Sequence, residues 1–121
     1  YFRNWWSKDK NINNDIHVDT QYGQMWSYLL SLGDLVEPEY LISHLEMEEK
    51  LADTPYGLQV LVNPESDRNN PGSGVHNTIW QAGSINWSVL NMYLNDDLTK
   101  NLSQAEKVIN HWRLKLNDQC R

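Results

Sequence analysis

Between Thr78 and Leu94 apolar side chains fall on nearly every side of a helical wheel. Ile79, Trp80, Ala82, Ile85, Trp87, Val89, Leu90, Met92 and Tyr93 leave almost no polar face. A helix of that kind must be covered all round. The stretch from about 20 to 32 is similar, with Tyr22, Met25, Trp26, Leu29, Leu30 and Leu32 spread over a wide arc. Each is followed by a helix with one apolar stripe. Pro38 suits the first turn of a helix over 38–51. There Leu41, Ile42, Leu45 and Leu51 mark the buried stripe, and Glu46, Glu48, Glu49 and Lys50 the solvent side. Ser103-Gln104-Ala105-Glu106 reads as a capping box for a last helix to about 117, with Ala105, Val108, Ile109 and Trp112 inward. Buried, amphipathic, buried, amphipathic is the order expected of an α/α toroid, whose inner helices are covered on both sides and outer helices on one. A free-standing four-helix bundle would spread its polarity more evenly. The expected fold is therefore all-α, two helical hairpins of a six-hairpin toroid. Two hairpins leave the inner helices half bare, so residues 1–121 are expected to be one segment of a larger α/α-toroid domain.

The segments that lead into the two apolar helices look alike. Ile16-His17-Val18-Asp19-Thr20 precedes the first, and Val75-His76-Asn77-Thr78 precedes the second. On inner helices running the same way, these polar groups share one end of the toroid, where free backbone N–H groups carry partial positive charge. Asp19 or Thr20 is expected to cap the first helix, and Gly33 to follow its end. The longest non-helical stretch, a loop over 52–78, hangs over the same end. Leu58, Val60 and Val62 alternate within it, as a short strand would. Asn63 to Gly74 is rich in Asn, Pro, Gly and Ser; loops of this length in compact domains are usually functional or disordered, and His76 and Trp80 at its exit favour function.

Composition removes several function classes. The formal net charge is −6, with Lys and Arg scattered, which argues against a nucleic-acid partner. No run approaches the ~20 apolar residues of a membrane span. Cys120 is the one cysteine, so the sequence offers neither a disulfide framework nor a cysteine zinc site. Two histidines without metal-ligand spacing give no metal site, and no cofactor is expected. Asn86-Trp87-Ser88 and Asn101-Leu102-Ser103 match the glycosylation sequon. Asn86 falls within a helix pattern, and Asn101 reads as the better acceptor, in a loop. The six Trp and six Tyr serve cores and also stack on flat ligands.

Asp19-Thr20-Gln21-Tyr22-Gly23-Gln24-Met25-Trp26, followed by Leu32-Gly33-Asp34-Leu35-Val36 and Pro38, resembles the glucosylceramidase-type (non-lysosomal) β-glucosidases. That family's catalytic domain is an (α/α)6 barrel, with an Asp-Gln-x-x-Gly-Gln-x-Trp run before an inner helix. Tyr1-Phe2-Arg3-Asn4-Trp5 is similar to the aromatic stretch preceding it, and Thr78-Ile79-Trp80 with Gly83 to the family's Asp-Glu-Val-Trp-x-Gly segment. Two positions depart from the pattern: Thr20 replaces Gln, and Thr78 stands where the family has a sugar-contacting Glu. The resemblance covers about residues 1–115 and implies part of a retaining glycoside hydrolase. Such enzymes use two carboxylates ~5–5.5 Å apart, which in the family come from segments N-terminal to the matched region. No catalytic residue is therefore expected in this chain. Trp80 matches a Trp that walls the sugar subsite.

The expected substrate-binding residues are Trp80, Thr78, His76, Asp19 and His17. Trp80 would stack on a sugar ring, and the others would supply polar contacts or hold the loop. The expected partners are a carbohydrate substrate and the remaining segments of the toroid. The alternatives are a polysaccharide lyase on a similar toroid, or a non-catalytic helical module for interaction or carbohydrate binding.

Overall fold

The computed structural model describes residues 1–2, 15–64 and 78–119, the side chains of 115–119 excepted. Among them are four helices: α1 (Tyr22–Leu29), α2 (Pro38–Ala52), α3 (Gln81–Leu94) and α4 (Leu98–Gln119). Four two-residue strands accompany them: β1 (Ile16–His17), β2 (Asp53–Thr54), β3 (Gly57–Leu58) and β4 (Leu61–Val62). The chain is thus mostly helical rather than all-α. The first part of the expected loop over 52–78 folds into paired strands, while 65–77 lie outside the described residues.

The strands form two small antiparallel pairs. β2 turns back on β3, and β4 pairs with β1, Ile16 opposite Val62 and His17 opposite Leu61. The pairing continues past both. Val18 N–H donates to the Val60 carbonyl (3.1 Å), Val60 N–H to that of Thr78 (2.8 Å), and Trp80 N–H to that of Leu58 (3.3 Å). Gln59 bridges Ile79 in the antiparallel sense. Segment 57–62 therefore runs antiparallel to both 16–18 and 78–80. Those two segments run parallel to each other and enter α1 and α3 from the same end.

Helix α3 is the centre of the packing, against α1, α2 and most extensively α4. Trp87 is 1% exposed, and its indole N–H donates to the Leu45 carbonyl of α2 at 2.9 Å. Around it lie Val18, Met25, Leu41, Ala52, Leu58 and Leu90. The α3–α4 contact is more polar. Ser88 Oγ accepts from Ala105 N–H (3.0 Å). Asn91, Asn95 and Asn101 form a chain of amide bonds from the end of α3 into α4. Asn101 is wholly buried in α4 by this role, and Asn86 is equally buried in α3. Neither sequon is open to a glycan in the folded chain, which corrects the placing of Asn101 in a loop.

The helix ends differ from expectation for local reasons. Helix α1 stops at Leu29 because Ser31, with φ of 57°, turns the chain. Leu32 N–H reaches the Ser27 carbonyl and Ser31 N–H that of Tyr28, the paired bonds of a Schellman stop. Gly33 (φ 87°) lies beyond this stop, and its carbonyl accepts from Gln24 and Ser27 side chains. Helix α4 begins five residues before the expected capping box because Asp97 Oδ1 accepts from Lys100 N–H (3.1 Å). Ile85, Met92 and Tyr93 of α3 are exposed, as are Trp26 and Leu29 of α1 and Leu30 just after it; two hairpins without further helices leave such faces bare.

Two close approaches carry predictions. A Cβ at Gly83 would lie 2.4 Å from Val18 Cγ2, so α3 can approach the β1–α1 segment this closely only without a side chain there. Gly83→Ala is expected to cost ~1–3 kcal/mol through overpacking, read as a lower urea midpoint. Trp87→Phe keeps most of the ring volume but removes the buried indole N–H bond to the Leu45 carbonyl. A loss of ~0.5–1.5 kcal/mol is expected in the same assay.

Candidate functional site

The shared entry end of α1 and α3 brings together three of the five expected site residues. Trp80, 40% exposed, is the residue before α3. Its ring meets the His17 imidazole edge-on, with centroids 6.4 Å apart and planes at 80°. Tyr22, on the first turn of α1, lies 6.5 Å from it at 55°. The imidazole Nδ1 of His17 pairs with the carboxylate of Asp19, both groups about three-quarters buried. Thr78 is exposed and is held through its carbonyl by Val60. His76 lies outside the described residues.

The expected capping by Asp19 or Thr20 does not occur. Gln21 and Trp80 are the residues preceding α1 and α3, and neither helix has a side-chain cap bond. Thr20 Oγ1 donates instead to the His17 carbonyl, and the Asp19 carbonyl accepts from Tyr22 N–H. The Asp19 carboxylate is thereby left to His17.

Sequence reasoning missed three groups at or beneath this rim: Tyr22, His44 and Glu48. Glu48 was expected on the solvent side of α2, yet it and His44 are both 0% exposed. The signal was present in the spacing. Leu41, His44, Leu45, Glu48 and Ala52 follow one helical face, and all five are buried. Ile42, expected inward, is exposed.

The buried pair has a definite protonation pattern. His44 Nδ1 accepts from Phe2 N–H (3.1 Å), so its hydrogen sits on Nε2, 3.0 Å from Glu48 Oε1. Burial lowers the imidazole to about 4. Burial, and after it the charge of Asp19, holds the Glu48 carboxyl well above its usual range. Glu48 is therefore a neutral acid beside a neutral histidine. Neither of its oxygens has a well-directed hydrogen-bond partner among the described residues. Burial and Asp19 likewise raise the Tyr22 phenol. No cluster able to hold a metal ion is found among the described residues, and no described helix is long and apolar enough to cross a membrane.

No protein-family model matches the chain, and neither a curated protein nor a solved structure matches it significantly.

The two shifts act on stability at opposite ends of the pH scale. Glu48 is raised in the fold, so its contribution is full below the unfolded value near 4.5 and is lost as pH rises through the folded value. His44 is lowered, so its contribution is full above 6.5 and is lost as pH falls towards about 4. Glu48→Gln cannot ionise and is expected to be more stable than the parent at pH ~8, with the difference vanishing below the carboxyl range. Urea unfolding across that span measures it.

Proposed function

We propose that this chain supplies two hairpins of an α/α toroid and part of the sugar-binding rim of a glycoside hydrolase acting on a β-linked glucoside or a related glycan. The observation that carries the reading is the half-open Trp80 ring, met edge-on by His17 and at a tilt by Tyr22, beside the His17–Asp19 pair. An aromatic face receives the C–H face of a pyranose, while imidazole and carboxylate at its edge fix the hydroxyls. The motif resemblance through Asp19, Gly23, Gln24, Trp26 and Trp80 points to the same chemistry.

The uncovered sides of α1 and α3 support the toroid half of the proposal. Trp26, Leu29 and Leu30 on one helix, and Ile85, Met92 and Tyr93 on the other, are exposed together. Leu29, Val89, Met92 and Tyr93 line a shallow apolar cleft between the helices. Exposed apolar surface of this extent marks a face made to be covered, and further inner helices of a toroid would cover it. In this reading the nucleophile and the acid/base come from other segments of the toroid, while Trp80 and Asp19 hold the sugar.

Titration of the complete protein with methyl β-glucoside, followed by tryptophan fluorescence and calorimetry, tests the proposal. Trp80→Ala is expected to weaken binding at least tenfold, about 1.4 kcal/mol, and Asp19→Asn to weaken it as well. If Trp80→Ala and His76→Ala both left affinity and turnover unchanged, the sugar rim would lie elsewhere.

A further inference from the structure

Helix α4 has an apolar stripe that the fold leaves open. Its inward face, with Asn101, Gln104 and Val108, is buried, and the helix packs on α3 and β3. Its flank towards α2 and β2 is polar: Lys100 pairs with Glu49, and Lys107 and Gln104 reach Asp53. A third face carries Leu98, Leu102, Ala105, Ile109 and Trp112, spaced four, three, four and three residues apart. Ile109 and Trp112, expected inward, are exposed, as are Leu98 and Leu102, all between 45% and 61%. Single exposed apolar residues are ordinary, but this spacing is the seam of a helix that packs against another helix. As an outer helix of a toroid, α4 would be covered on one side only, so the toroid leaves the seam unexplained.

The seam is complementary to itself in shape and in charge. Leu102, Ala105, Glu106 and Ile109 line a shallow cleft of about 280 Å³. That is below the ~300–1,000 Å³ of small-molecule pockets and suits one large side chain. Trp112 stands two turns beyond Ala105, the smallest member of the seam, as a knob. Beside the seam, Glu106 and Arg113 are also two turns apart, ~10 Å along the axis. Both are exposed, and neither joins an ion pair among the described residues. A second α4 laid antiparallel puts its Trp112 on the Ala105 cleft and its Arg113 on Glu106. Both matches call for one two-fold axis, because the midpoint of Ala105 and Trp112 and that of Glu106 and Arg113 both fall beside Ile109. A contact of this kind is satisfied by two copies and does not propagate.

We propose that the chain pairs with a second copy of itself through α4, antiparallel, each Trp112 entering the other copy's Ala105 cleft and each Glu106 facing the other copy's Arg113. The pairing uses no residue of the sugar rim, so it goes beyond that reading and either can fail alone. One helix crossing buries less than the ~1,600 Å² of a standard interface, so the dimer dissociates on dilution.

Sedimentation equilibrium of the full chain, from micromolar to near-millimolar concentration at low salt, is the test. The parent is expected to pass reversibly from monomer to dimer. Ile109→Glu is expected to leave only monomer, while Met92→Glu, on the open face of α3, keeps the dimer. Glu106→Arg and Arg113→Glu each set like charges against one another at two symmetric points, and each is expected to raise the dissociation constant at least tenfold. The double variant Glu106→Arg/Arg113→Glu restores opposite charges and is expected to return close to the parent. These two positions are exposed, so the charge exchange decides the matter even if Ile109→Glu fails to fold. A parent that stays monomeric throughout would overturn the proposal, whether another toroid hairpin or a small ligand covers the seam. So would a dimer that Met92→Glu abolishes, or one that the double variant does not recover.

Discussion

The backbone of residues 57–62 is the constraint on which the other parts rest. It pairs with 16–18 and with 78–80, and so places the start of α1 beside the start of α3. Those bonds lie among buried side chains such as Ile16, Val18, Leu58 and Val60, where an unpaired N–H or carbonyl costs ~1–3 kcal/mol. Breaking the alignment would strand several such groups together. Gly57 anchors one end of this segment. Its φ of 125° and the 2.7 Å gap between an added Cβ and Ser84 Oγ both exclude a side chain, and Ser84 Oγ accepts from Leu58 N–H at 2.8 Å. Backbone pairing through Trp80 N–H sets where its ring meets His17 and Tyr22.

The four helices could be read from the sequence because their stripes have helical period and depend only on neighbouring residues. The likeness of the two entry segments was also visible, and 16–18 and 78–80 do run parallel at one end. Less could be read where a distant residue decides. Asp19 has the look of a capping residue, but the nearby imidazole of His17 takes its carboxylate. Glu48 sits among Glu46, Glu49 and Lys50, whose charge hides its phase with Leu41 and Leu45. Asn101 looks like loop because the Asn-Asp-Asp run before it ends α3, yet Asp97 restarts the helix at once. The alternation of Leu58, Val60 and Val62 marked a strand there, but nothing local told that it would pair with 16–18 and 78–80.

The rim passes through three environments. Its outer part, Trp80 and Thr78, is open, and its middle, His17 and Asp19, is half-buried. Its floor, Glu48 and His44, is sealed. Charge is tolerated in the middle layer, where solvent still reaches, and is driven off in the floor by burial. The proton of Glu48 and the neutral state of His44 follow chiefly from that burial. The same depth explains why the helical face of α2 accepts a glutamate at all: at neutral pH the side chain there is an uncharged acid.

The buried side chains are unusually mixed for so small a chain. Among the described residues, polar ones such as Gln24, Ser84, Asn86, Asn91, Asn101 and Gln104 are as numerous inside as apolar ones. Exposing apolar surface on unfolding raises the heat capacity, while exposing polar surface lowers it. The two contributions offset one another here. The heat-capacity increment per residue should accordingly fall below the usual ~12–15 cal/mol/K, giving a flat curve of stability against temperature. The stability of such a chain would change little between cold and warm conditions.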